Sequence, residues 1–144
     1  MPLFLIGALG WLLLDLIAKR WAVSDAFISF HWVDSWFYLT LTSNSGIAFG
    51  IALPRIIQII GSIAVIIVLT IGFIKSNWKQ RPFNQLIAGI VLGGAMGNWI
   101  ERLVNGSVID FIYLWPFPVF NIADIGITLG LIILVVYNFN KRSS

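Results

Sequence analysis

The sequence predicts an all-α integral membrane protein: four transmembrane helices with a small β-sheet on the outer side. Three observations carry that reading. Of 144 residues, 59% are apolar and 10% charged, whereas soluble domains carry about 25% charged residues. Four stretches, 2–23, 55–74, 83–103 and 121–139, are mostly apolar over the roughly 20 residues that a crossing needs. Lysine and arginine are shared unevenly among the connecting segments, as basic cytoplasmic loops require.

The elements follow in order as one membrane domain over 1–144, with no internal repeat or linker. Stretch 2–23 has neither the basic leader nor the small-residue cleavage site of a secretory signal, and Asp15 interrupts its apolar part, so it reads as a retained crossing. The 24–54 loop contains Phe37-Tyr38-Leu39-Thr40-Leu41-Thr42, which alternates as a half-buried strand does. Its aromatic run from Phe27 to Tyr38 places that small sheet against the membrane surface. The second crossing, 55–74, leads to a 75–82 loop that carries Lys75, Lys79 and Arg81. In the third, Gly89, Gly93 and Gly97 recur every four residues, a small face that lets another helix come close. After the 104–120 loop, Pro116 and Pro118 impose an extended approach to the fourth crossing.

Orientation comes from the basic residues. Lys75, Lys79 and Arg81, with Lys141 and Arg142 in the 140–144 tail, place these segments and both termini in the cytoplasm, and 24–54 and 104–120 outside. Lys19, Arg20, Arg55 and Arg102 then lie at outer helix ends, where long basic side chains snorkel to the interface. Trp21, Trp32, Trp36, Trp99 and Trp115 gather near the outer interface and Trp78 near the inner one.

Composition also excludes. Without cysteine there is no disulfide, thiol nucleophile or thiolate metal site, and a single histidine leaves little other metal or triad chemistry. The net charge of +3 comes from residues at segment ends instead of a patch, so nucleic acid is not an expected partner.

A charge at mid-bilayer costs at least ~2.5–3.5 kcal/mol, so each intramembrane polar residue needs a reason. Asp15 and Lys19 are one turn apart and can form an ion pair within their helix. Asn98, Glu101 and Arg102 share one side of the last outer turns of the third helix. Asn121 and Asp124 have the spacing of a helix N-cap and its reciprocal partner. Asp110, flanked by Ile109 and Phe111, belongs at the same outer level as Asp124. Two carboxyls held close share a proton, which suits peptide hydrolysis by an ionised base and a protonated acid. The residues alone leave other readings open. Asp15, Asp110 and Asp124 could form the proton relay of a small carrier, and Ser43 or Ser45 could be a nucleophile with Lys19 as base.

Five blocks carry a resemblance: Asp15 to Lys19 (DLIAK), Asn44 to Gly50 (NSGIAFG), Gly93 to Arg102 (GGAMGNWIER), Val108 to Phe111 (VIDF) and Phe120 to Asp124 (FNIAD). In this order, on a chain of this size, they resemble the motif regions of the lipoprotein signal peptidases, signal peptidase II. The resemblance implies an intramembrane aspartyl protease of the bacterial inner membrane, with its active site near the periplasmic face and no metal or cofactor. Its substrate would be a diacylglyceryl-modified prolipoprotein, cut before the lipidated cysteine, and globomycin-type cyclic peptides would inhibit it. It further implies that Asp110 and Asp124 are the catalytic pair, that Asn44, Gly46, Asn98, Arg102 and Asn121 support the substrate backbone, and that Asp15 and Lys19 assist from the first helix. A periplasmic β-cradle and a short periplasmic helix are implied as well. The chain departs from the usual pattern in three places. Glu101 stands for the aspartate of GNxxDR, Ile125 for a common serine, and the interval between Asp110 and Asp124 is short, which trims a periplasmic loop.

Overall fold

The computed structural model describes residues 1–24, 31–33, 36–46, 54–76 and 80–140; of His31–Val33 and Asn140 only the backbone is described. Among these residues four long helices make the bundle: α1 (Pro2–Ala22), α2 (Arg55–Lys75), α3 (Pro82–Asn105) and α4 (Ile122–Asn140). Three short strands, β1 (His31–Val33), β2 (Phe37–Asn44) and β3 (Val108–Leu114), form an antiparallel sheet in the order β1-β2-β3. The helix bounds fall within about two residues of the apolar runs that predicted them.

Apolar side chains cover the outside. Leu5, Leu9, Leu13 and Ile17 on α1, Ile60, Val68 and Ile71 on α2, and Leu129, Ile132 and Val136 on α4 are all exposed, an arrangement that only a lipid surround satisfies. The protein is a membrane protein. Among the described residues, three helices can cross a membrane by length and composition, α1, α2 and α4. The expected crossing at 83–103 is not among them, although α3 is 24 residues long. The physical reason is its position: α3 packs against α1, α2 and α4, so it carries Asn84, Asn98 and Glu101 buried against protein where a lipid-facing helix would carry leucine.

The glycine face does what its spacing predicts. A Cβ on Gly89 would land on the Phe4 carbonyl of α1, and one on Gly93 would land on the carbonyl of Ala8. α1 and α3 therefore meet backbone to backbone. At the end away from the sheet, Phe73, Ile87, Ala88, Val91 and Leu134 form the apolar core, and Phe4 stacks on Phe73 with ring centroids 4.7 Å apart. The end bearing the sheet is held by polar contacts. Arg55 at the start of α2 does not simply snorkel: its Nη2 donates to the carbonyl oxygens of Leu103 and Val104, at 2.6 and 3.4 Å. It thus caps α3, which closes on left-handed Gly106 (φ 77°).

The alternating segment is strand β2, as expected, and Tyr38 stacks on its cross-strand partner Tyr113 at 4.3 Å. Strand β3 was not expected, although Val108-Ile109-Asp110-Phe111-Ile112-Tyr113 is rich in β-branched and aromatic residues. Among the described residues, 24–54 and 104–120 contain no additional α-helix; the expectation of a short periplasmic helix falls outside the described residues, as do the side chains of Trp32 and Trp78.

Candidate active site

Asp110 reaches the bundle because it sits in a strand. Val108 and Asp110 point to the same buried face of β3, and Asn44, paired with Val108 across the sheet, shares it. Asn44 Nδ2 donates to Asp110 Oδ2 at 2.8 Å. Beyond β3 the chain turns back so that Phe120 pairs with Ile112, its N–H donating to the Ile112 carbonyl at 2.9 Å. That return brings Asn121 beside Asp110 and explains how so short an interval joins the two acids.

Asn121 and Asp124 form the reciprocal cap that their spacing suggests. Asn121 Oδ1 accepts from the Asp124 N–H at 3.0 Å, and Asp124 Oδ2 accepts from the Asn121 N–H at 3.3 Å. Capping and a chemical role are not alternatives here. The same Asn121 donates from Nδ2 to Asp110 Oδ1 at 2.6 Å, so one asparagine bridges the two carboxyls.

Behind this bridge lies a buried charge cluster. Lys19 Nζ sits 2.9 Å from Asp15 Oδ2, 2.9 Å from Glu101 Oε2 and 2.8 Å from Asn98 Oδ1. The intrahelical pair with Asp15 is thus present, and Glu101, the longer acid, turns to Lys19. Two carboxylates and an amide oxygen thus surround the Lys19 amine. Ser43 Oγ meanwhile pairs with Ser107 Oγ at 2.9 Å on the exposed side of the sheet. Among the described residues no hydrogen bond joins Lys19 to Ser43 or Ser45, so the serine–lysine arrangement is not assembled there.

Donor-only neighbours settle how the asparagine amides face. Lys19 can only donate, so Asn98 turns Oδ1 to it and Nδ2 to Asp124 Oδ1, at 2.8 Å. The Gly46 N–H donates to Asn44 Oδ1 at 2.9 Å, which points Asn44 Nδ2 at Asp110. Each of the four carboxyl oxygens of Asp110 and Asp124 consequently receives one N–H donor and keeps a lone pair for a proton or a water. Burial pushes the Asp110 carboxyl up to about 6, with the nearby charge of Asp124 adding to the shift and the hydrogen bonds from Asn44 and Asn121 opposing it.

Arg102 closes the far side. Its Nε is 3.3 Å from Gln58 Oε1 and its Nη2 is 3.4 Å from the Gly46 carbonyl, and among the described residues it forms no ion pair. Sequence reasoning missed Gln58, a buried side chain of α2 whose Nε2 donates to the Ser45 carbonyl at 2.7 Å. The rule that singled out Asp15 would have found it, since an amide within an apolar helix also needs partners.

A sequence profile described as signal peptidase (SPase) II matches residues 7–140. The chain is 33% identical to a lipoprotein signal peptidase of Chlorobium phaeobacteroides (strain BS1), over 95% of this chain and 96% of that protein. It is 34% identical to a lipoprotein signal peptidase of Nostoc punctiforme (strain ATCC 29133 / PCC 73102), covering 96% of this chain and 90% of that one. A solved structure described as a bacterial membrane enzyme, obtained by the in meso method at 2.3 Å, superposes with a TM-score of 0.81 at 27% identity, over 97% of this chain and 89% of that chain. Another, at 1.9 Å, gives a TM-score of 0.78 at 30% identity, over 93% and 90%.

Proposed function

This chain belongs to the signal peptidase II family, proteases that remove signal peptides from lipoproteins, and from that premise we propose that it is an intramembrane aspartyl endopeptidase whose catalytic pair is Asp110 and Asp124. The observation that carries the proposal is the bridge through Asn121, which ties an acid on a strand to an acid at a helix start. In the working state the pair holds one proton. The ionised member takes a proton from water as its oxygen attacks the scissile carbonyl, and the protonated member donates to the carbonyl oxygen. Collapse of the tetrahedral diol then breaks the C–N bond: the acid that took the water proton gives it to the leaving nitrogen, and a hydroxyl of the diol returns its proton to the other acid, so the pair again holds one. Asn98, Asn121 and Asn44 hold the carboxyls in register, and Arg102 with the Gly46 segment offers polar groups to the substrate backbone. Asp15 and Lys19 fix Asn98 from α1.

The substrate is a diacylglyceryl-modified prolipoprotein, cut before its lipidated cysteine. Acyl burial is worth about 0.8 kcal/mol per CH₂ and holds the scissile bond at the depth of the pair before chemistry begins. α3 is read as a fourth crossing in the middle of the others. The sheet then faces the periplasm and both termini face the cytoplasm of a bacterial inner membrane, and globomycin-type cyclic peptides compete with the substrate for the acid pair.

The test incubates purified protein with a lipidated prolipoprotein and follows the mass shift. The unaltered protein should release the signal peptide, while Asp110→Asn and Asp124→Asn, which keep size and most hydrogen bonds, should release none although folded. Cleavage by either variant would remove the aspartyl pair.

A further inference from the structure

The start of α4 must hold Asp124 still, yet a helix N-terminus leaves its first N–H groups without helical partners. α1 supplies what is missing. Asp15 Oδ1 accepts from the Ala123 N–H at 2.8 Å, and Trp11 Nε1, one turn earlier on the same face, donates to the Ile122 carbonyl at 3.0 Å. This N–H and this carbonyl are the two ends of a single peptide unit, the one that precedes Asp124 by one residue. A bond from Asp15 alone would let that plane pivot about the N–H, and the bond from Trp11 at the opposite pole stops the pivot. Gly126 makes room for it: a Cβ there would fall on the Trp11 indole nitrogen and its neighbouring ring carbons. Glycine at that position is what allows the ring to reach the carbonyl one turn back.

We propose that Trp11 is a positioning residue for Asp124, gripping with Asp15 the peptide unit between Ile122 and Ala123. The proposal rests on the reading of Asp124 as a catalytic acid. Its consequence is kinetic, because a displacement of about 1 Å in a reacting group can cost on the order of a hundredfold in rate, whereas one part-buried indole hydrogen bond contributes only about 1 kcal/mol to holding the bundle together.

The test compares unaltered protein, Trp11→Phe, Gly126→Ala and the double variant on a lipidated prolipoprotein, with Asp124→Asn as reference and thermal melting recorded for each. Trp11→Phe keeps an aromatic ring against Gly126 and deletes the N–H. Its kcat should fall roughly three- to thirtyfold with KM within about twofold and the melting transition nearly unmoved. Gly126→Ala should give a similar loss, and the double variant should lose no more than the worse single variant, since both remove the same hydrogen bond. An unchanged kcat in Trp11→Phe, a change confined to KM or to melting, or losses that multiply in the double variant would overturn the proposal. If Gly126→Ala does not fold, Trp11→Phe decides alone. Failure of the aspartyl reading itself would show separately, as cleavage by Asp124→Asn.

Discussion

At the scale of single residues the site is a set of amides whose orientation is dictated by groups that can only donate. Lys19, the Gly46 N–H and the Asp124 N–H each take an amide oxygen, and three NH₂ groups are thereby aimed at the two acids. Asp110 illustrates the cost. Desolvation raises it from 3.8 to about 6, so the native state holds its proton over a range in which the unfolded chain releases it. The stability that this proton contributes is complete below about 3.8 and is lost as pH rises through about 6. In thermal melts from about pH 4 to pH 7, the unaltered protein should therefore lose stability relative to Asp110→Asn, which has no such proton. Equal pH dependence of the two would contradict the burial argument. Gln58 is the second case. It joins α2 to both Arg102 and the Ser45 carbonyl, and loss of a buried hydrogen-bonding partner costs about 1–3 kcal/mol. Gln58→Ala should raise KM for the lipidated substrate on the order of tenfold and lower kcat much less, because it loosens the proposed backbone-binding groups and leaves the acids in place. Steady-state kinetics separate the two effects.

At the scale of elements, α3 organises the molecule, and its contact with α1 is the most sensitive joint. Gly93 faces the Ala8 carbonyl and the Leu12 N–H region with no space for a side chain, while Gly61 of α2 has nothing within 4 Å of where a Cβ would stand. Gly93→Val should separate the helices and lower stability by about 2 kcal/mol or more. Activity should fall with it, since α1 brings Asp15, Lys19 and Trp11. Gly61→Ala should be neutral or stabilise by up to ~1 kcal/mol, as expected for glycine replaced by alanine inside a helix. Melting of both variants in the same detergent compares them directly, and equal destabilisation would show that helix approach is not the cause. The sheet is the other organising element. Its bulge between Leu39 and Thr42 places Thr42 opposite Asp110, and Asn44 lies two pairs further on, on the same face and within reach of that carboxyl.

At the scale of the whole molecule, polarity is sorted along the bundle. An apolar core with Phe73 and Leu134, beside the buried Asn84–Asn138 amide pair, fills the end away from the sheet, and the ion pairs with Asn44, Asn98 and Asn121 fill the other. Such sorting suits a chemistry performed at one face of the bilayer, where water can reach the acids. Under the proposed topology, single cysteines placed in the cysteine-free chain should report sidedness. One in the 75–82 loop should react with a membrane-impermeant reagent only from the cytoplasmic side, and one at Ser107, between α3 and β3, only from the periplasmic side. Labelling of the loop from outside would invert the topology and move the site to the wrong face for a secreted lipoprotein precursor.

Much of this was legible in the chain. The apolar runs set the helix bounds, the four-residue glycine spacing named the face that α3 turns to α1, and Asp15, Lys19, Asn98, Asn121, Asp110 and Asp124 stood out as polar groups in apolar surroundings. These features are local: lipid penalises each segment by its own composition, whatever its neighbours are. Three things were not legible. Glu101 pairs with Lys19, Asp110 lies on a strand paired to β2, and Trp11 and Gln58 reach across to other elements. Each depends on which distant residues the packed bundle brings together, as when Trp11 meets a carbonyl 111 positions along the chain. A hydrogen-bonding group in a helix must find a partner, but its own stretch of sequence does not say which one. That choice was made by the close approach of α1 to α3 and by the turn that folds Phe120 back onto Ile112.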